Sequence, residues 1–227
     1  MMLVNDFVEK LYNIVINYKT LYVMGCFGSP MTKSNKERYK NNHSYNKNPA
    51  RQTMIDRCDD NTFGFDCVNL IKGVLWGWTG DKTKSYGGAK YCSNGVPDVG
   101  ADKMISLCKN VSTDFSKINI GEAVWMSGHI GVYVGDNKVI ECSPAFKNCV
   151  QITALNQRKW LKHGYLPYID YSVKNKELTK EQKWMIDNGY IRGYGDGNYG
   201  WDDTLTRGQL AIILYRMVNG NGSDKQE

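Results

Sequence analysis

The sequence predicts an α+β fold, with helices packed on an antiparallel sheet over residues 1–170 and a small helical module over residues 171–227. Three observations lead there. Apolar residues recur at helical spacing near the N-terminus and again from Cys67. Three strand-like stretches, "EAVWM", "HIGVYVG" and "KVIEC", follow one another between Glu122 and Cys142. A C-terminal segment then carries two helix-start signatures separated by a glycine-rich stretch. With 227 residues, 41% of them hydrophobic and 23% charged, the chain is long and apolar enough to bury one sizeable core and a small second module.

Val4, Phe7, Val8, Leu11, Val15 and Tyr18 mark an amphipathic first helix over about residues 4–18. The segment from Met31 to Arg57 holds seven Lys/Arg against two acids, is rich in Asn and Ser, and lacks hydrophobic periodicity. It reads as a long surface loop, either a solvated insertion or a basic rim that attracts a polyanion; charge alone does not choose. Cys67, Leu70, Ile71, Val74 and Leu75 share one face of a second helix, which Gly77 and the following "TGDKTKSYGG" end. Turn-rich sequence runs to about Val99, and Met104, Ile105 and Cys108 mark a short helix. The three strands come next, with "GDNK" (135–138) as the hairpin turn between the last two.

The seven cysteines are odd in number and contain no C-x-x-C pair, which argues against a disulfide framework and a zinc knuckle and fits reduced thiols. No apolar run approaches the roughly eighteen residues of a membrane span, and neither an anchor nor a secretory signal is expected.

Cys67 stands at the predicted start of its helix, where unpaired N–H groups and the helix dipole favour a thiolate. Of three histidines, His43 lies in the polar segment and His163, in "RKWLKHGYLP", reads as a surface or packing residue. His129 begins a strand whose alternation places it at a sheet edge, and it is the best base by elimination. Glu141, on the next strand, comes within cross-strand or diagonal reach of His129 and can orient the imidazole. Asp66, beside the thiol, opposes its ionisation and reads as a helix cap or a substrate-contacting group.

These residues carry a resemblance. "FGFDCVNLIKGVLWGW" followed by "GEAVWMSGHIGVYVGDNKVIECSP" resembles the NlpC-type cell-wall peptidases, papain-like cysteine hydrolases, and the run from Tyr22 to about Tyr171 is similar to endolysins of clostridial phages and prophages. The resemblance implies a papain-like domain in which Cys67 is the nucleophile, His129 the base and Glu141 the third polar residue. The upstream "YVMGCFGSP" resembles that family's entry motif and makes Tyr22 an oxyanion or substrate-positioning group. The family's usual Ser-Gly after the cysteine is Val68-Asn69 here, and its frequent third histidine is Glu141.

In the C-terminal segment, Thr179 with Gln182 and Thr206 with Gln209 form two capping boxes, each opening a helix. "GYIRGYGDGNYGWDDTLTRGQL" resembles one S-layer homology repeat, with Gln209 where an acid is usual and one copy where three are the norm. That likeness implies binding of a secondary cell-wall polymer through Arg207, with Tyr194, Tyr199 and Trp201 around it. Asp196, Asp202 and Asp203 also invite a calcium-loop reading, but they lack EF-hand spacing, and a glycine turn is preferred.

The expectation is therefore a peptidoglycan hydrolase, an endolysin made in the host cytoplasm and acting on the wall after release. It would cleave a stem-peptide amide through a thioester, without cofactor or metal and without nucleic-acid or membrane partners. Self-association through the apolar face of Leu210, Ile213 and Leu214 is a linked expectation. Two alternatives stay open: a non-catalytic wall-binding or surface-layer protein, and an amidase toxin or acyltransferase on a related fold.

Overall fold

A computed structural model of the chain describes residues 1–172, 179–191, 199–201 and 204–219. It divides into two compact units, Met1–Val173 and Lys174–Glu227, against an expected boundary at 170/171. The first unit is α+β. It opens with strand β1 (Met2–Leu3) and helix α1 (Val4–Asn17), followed by β2 (Thr20–Tyr22), β3 (Phe27–Pro30), α2 (Lys33–Asn42), α3 (Pro49–Arg57), β4 (Phe63–Phe65) and α4 (Cys67–Leu75). Then come α5 (Ala101–Leu107), β5 (Lys109–Ser112), β6 (Ala123–Met126), β7 (His129–Tyr133), β8 (Lys138–Cys142), β9 (Val150–Ala154), β10 (Lys162–Tyr165) and β11 (Ile169–Asp170).

Six strands form the main sheet in the order β5-β10-β6-β7-β8-β9, antiparallel at every step. The turn between β7 and β8 has Gly135, Asp136 and Asn137 at φ 88°, 48° and 54°, three left-handed residues closed by Val134 N–H on Lys138 O and Lys138 N–H on Gly135 O. Alternation then sorts the side chains. Ile130, Val132, Ile140 and Cys142 join the main core with Phe7 and Leu11 of α1 and Leu70, Ile71 and Val74 of α4, while Val124, Val139 and Trp160 form a smaller core apart from it. Every residue of α4 is buried, so this helix is an axle of the unit rather than a surface element. It ends in a Schellman turn: Gly77, at φ 84°, donates to Val74 O, and Trp78 donates to Gly73 O.

Two expectations are corrected. The basic segment is not a loop: Thr32 caps α2 by accepting from Asn35 N–H, and Asn48 caps α3, which starts with Pro49. Tyr39 and Ile55 pin these helices into a second core with Val23, Cys26 and Met31. The segment's charge is also partly consumed, since Lys36 pairs with Asp60, Lys40 with Glu37 and Asp56, and Arg51 is buried. The second correction concerns β7, which is an interior strand; His129 sits at its end, not at a sheet edge. A three-stranded sheet, β2-β4-β3, also went unexpected.

The second unit contains α6 (Lys180–Asp187) and α7 (Arg207–Asn219). Both capping boxes form reciprocally: Thr179 N–H donates to Gln182 and Gln182 N–H to Thr179, and the same exchange joins Thr206 with Gln209. Neither helix buries a residue, and Leu210 and Leu214 are exposed. Among the described residues, no helix is long and apolar enough to cross a membrane.

Candidate active site

Local structure fixes the thiol first. The Asp66 side chain caps α4, accepting from Asn69 N–H at 2.8 Å, and its second oxygen accepts from Gly25 N–H at 2.8 Å and from Asn69 Nδ2 at 2.7 Å. Three protein donors thus hold a carboxylate that is 4% exposed, and the cap sets Cys67 as the first helical residue. The backbone amides of Ile130, Val68 and Cys67 itself favour the thiolate, which places the sulfur against the strand residue that follows His129.

The expected activation of this thiol is not what the folded environment delivers. Burial, and then the charge of Asp66, outweigh the amides and push the Cys67 thiol up to about 12. Cys67 is 7% exposed, so the desolvation of a thiolate there exceeds what the helix N-terminus supplies. Cys67 is therefore a neutral thiol at neutral pH.

His129 is positioned from three sides. Its strand begins opposite Met126, after a turn through Gly128 at φ 73°. Asp102 of α5 pins that turn by accepting from Gly128 N–H and Trp125 Nε1. The imidazole stacks on Trp160, with ring centroids 5.6 Å apart and an interplanar angle of 17°. Its Nε2 meets Glu141 Oε2 at 2.6 Å, so Nδ1 is the nitrogen left without a partner among the described residues.

The register explains how Glu141 reaches so far. Val132 pairs with Ile140 on β8, which sets Gly131 across from Glu141 and makes His129 its diagonal neighbour. A side chain at 131 would stand in the way: a Cβ there would lie 2.7 Å from Val139 Cγ1 and 3.3 Å from Glu141 Cβ. Glycine opens the diagonal.

Glu141 is fully buried yet held as an anion. Burial alone would raise its carboxyl, but hydrogen bonds from His129, Arg158 and Thr153 win and lower it. Thr153 Oγ1 donates at 2.7 Å and Arg158 Nε at 2.8 Å, while Arg158 Nη2 donates to Ser143 Oγ and its guanidinium lies over the Phe146 ring. Arg158, Thr153 and Trp160 were missed from sequence. They act on the site only through β9 and the segment after it, whose register no local pattern announces.

Tyr22 is buried at the end of β2, edge-on to Tyr45, with its hydroxyl directed at Met24 Sδ, 3.8 Å away. Burial, then the neighbouring Cys67 and Asp66, push its phenol well above the ordinary range, so it remains a proton donor. Arg51 donates to the Tyr22 carbonyl and to Asn148, fixing the strand end. The other histidines are elsewhere. His43 is an exposed cap of α2, and His163 is buried with Nδ1 on Glu122 and Nε2 on Asp114 O, so neither ring nitrogen is free.

Of the wall-binding candidates, Arg207 is exposed at the start of α7, and Trp201 stacks with Tyr199 at 6.0 Å. Tyr194, Asp196, Asp202 and Asp203 lie outside the described residues. Among the described residues, no group of three or more His, Cys, Asp or Glu side chains could hold a metal. No family model and no curated protein matches the chain.

Proposed function

We propose that the chain is a peptidoglycan hydrolase of papain-like, NlpC-type architecture that cleaves an amide bond of the stem peptide. The observation that carries this reading is the His129–Glu141 hydrogen bond at 2.6 Å, on a strand whose next residue, Ile130, brings its amide to Cys67 at the capped end of α4. Nε2 is committed to a carboxylate, so the imidazole presents Nδ1 as a base, the tautomer a thiol needs.

In this reading Cys67 Sγ attacks the amide carbonyl as Nδ1 of His129 takes the thiol proton. The imidazolium is held by the anionic Glu141, and Tyr22 can donate to the developing oxyanion. The tetrahedral intermediate collapses, the C–N bond breaks, and His129 passes its proton to the leaving nitrogen. Water, deprotonated by His129, then attacks the thioester, releasing the carboxylate product and the thiol. The second unit would carry wall affinity through Arg207 and the aromatic pair Tyr199 and Trp201, since its eight Lys/Arg and eight Asp/Glu from Tyr171 onward give no net attraction to an anionic wall.

Mass spectrometry of purified peptidoglycan after incubation with the protein tests the reading and resolves the bond. New amino termini within stem peptides mark an endopeptidase, and free lactyl groups on muramic acid mark an amidase. Unchanged muropeptides refute hydrolysis. The raised Cys67 thiol favours one competing reading, a wall-binding protein with a silent enzyme domain. Under that reading, wall binding persists and no lysis is lost when Cys67 is alkylated.

A further inference from the structure

We propose that the cleft beside Cys67 is a subsite in which Arg38 reads a carboxylate on the stem peptide; this rests on the hydrolase reading above and names the substrate feature it selects. The cleft has a volume of about 440 Å³ and is lined by Gly25, Arg38, Asn69, Tyr86, Tyr91 and Asp98 together with Phe27. Asn69 lies in the first turn of α4, two residues from Cys67, and the Gly25 amide is bonded to Asp66. The cleft therefore opens beside the helix end that carries the thiol.

Its charges are not equivalent. Asp98 is bonded to the buried Lys72 ammonium and accepts from Tyr91 Oη at 2.8 Å, so its charge is already answered. Arg38 has no such partner. Its Nη1 donates to Tyr86 Oη at 3.1 Å and its guanidinium lies 5.3–5.4 Å from the ring centroids of Tyr39 and Tyr86, but among the described residues no carboxylate is within ion-pair reach. The cleft thus offers one unanswered cation between aromatic walls, the surroundings that suit a planar carboxylate gripped by a guanidinium fork.

The wall that holds Arg38 is rigid and conformationally costly. Tyr86, Gly87 and Gly88 run at φ 57°, 62° and 94°, a left-handed stretch that is uncommon for tyrosine. No side chain fits at 87, where a Cβ would lie 2.2 Å from Trp78 Nε1 and 2.6 Å from Gly28 O. The Tyr86 ring is stacked on Phe27 with centroids 4.2 Å apart. Such a backbone persists where its surroundings over-determine it, and here it places the hydroxyl that orients the guanidinium. Arg38 belongs to α2, within the basic segment, and this gives one of that segment's charges a local task.

The test uses two synthetic stem peptides that differ only in a free carboxylate or its carboxamide, with the full-length chain and its Arg38→Ala and Arg38→Lys variants. The unaltered chain should favour the carboxylate peptide about tenfold or more, in KM rather than kcat. Arg38→Ala should lose that preference by weakening only the carboxylate peptide, and Arg38→Lys should keep part of it. Equal preference in the unaltered chain and Arg38→Ala overturns the subsite. Calorimetry of both peptides on a Cys67→Ala chain reads the subsite without turnover. Tighter binding of the carboxylate with no cleavage by the unaltered chain refutes the hydrolase reading alone, whereas equal affinities refute the subsite alone.

Discussion

Replacing Arg158 by methionine isolates what holds Glu141 as an anion. The change keeps an apolar stem near Phe146 and removes the donors to Glu141 and Ser143, leaving a fully buried carboxylate with His129 and Thr153. Breaking a buried ion pair from one side costs about 3–5 kcal/mol, and the Arg158 side chain retains 15% exposure, which favours the lower end. With a urea m-value of about 2 kcal/mol/M, a loss of about 3 kcal/mol lowers the unfolding midpoint by about 1.5 M. The pH dependence gives a second readout. In the parent chain the Glu141 carboxyl lies below its unfolded value, so its stabilisation is present above that unfolded value and disappears as pH falls through the folded one. Without Arg158 burial gains the upper hand, the folded carboxyl rises, and that acid-side stabilisation shrinks or reverses. Urea titrations followed by circular dichroism at pH 7 and pH 5 should show the variant losing less stability on acidification than the parent, or gaining some, because protonation relieves the buried, unpaired charge. A midpoint within 0.3 M of the parent (about 0.6 kcal/mol at the same m-value) at both pH values would refute the view that Arg158 keeps Glu141 ionised.

Three other outcomes are expected. Cys67→Ser and His129→Ala should each abolish wall lysis measured by turbidity, while Cys92→Ser, at an exposed thiol, leaves it intact; lysis by Cys67→Ser would remove the nucleophile. Site-resolved alkylation of Cys67 without substrate should accelerate about tenfold per pH unit from pH 7 to 9, because a thiol pushed up to about 12 is still titrating there, and a flat profile would instead reveal a preformed thiolate. A chain ending at Val173, the limit of the first unit, should fold and digest solubilised peptidoglycan but sediment poorly with intact walls; equal sedimentation of both chains would remove the targeting role of the second unit.

How much of this was legible depends on whether the governing interaction is local. The β7–β8 hairpin follows from "GDNK", and both helix starts of the second unit follow from Thr-x-x-Gln, since turn and cap chemistry act within four residues. Helix α4 follows from its spacing, and the diagonal reach of Glu141 follows once the hairpin is placed. The helices α2 and α3 were hidden because each buries little: Tyr39 in one, Arg51 and Ile55 in the other. Their signals were the caps, Thr32 and Asn48 with Pro49, and not hydrophobic periodicity. Strand β4 was hidden for a related reason, because Phe63, Gly64 and Phe65 are all buried and show no alternation. Arg158 and Thr153 needed the β8–β9 register, in which Val139 faces Thr153, a long-range fact.

The failed expectation about the Cys67 thiol clarifies how the site divides its charges. Two carboxylates belong to the candidate site, Asp66 and Glu141, and their surroundings move them in opposite directions. Burial, opposed by the amides of Asn69 and Gly25, leaves Asp66 raised, while donors that outweigh burial leave Glu141 lowered. Glu141 is thus the settled anion, and it bonds Nε2 of His129, leaving Nδ1 as the nitrogen that the proposed mechanism assigns to the thiol proton. Asp66 and Cys67 share the buried helix end, where a second negative charge is costly, so each opposes ionisation of the other. In the proposed mechanism a thiolate forms there only as its proton moves to His129, giving an imidazolium that Glu141 holds. Under the proposed mechanism, nucleophile formation then falls inside the reaction step, coupled to attack on the carbonyl, with the Arg158–Glu141–His129 chain holding the imidazolium.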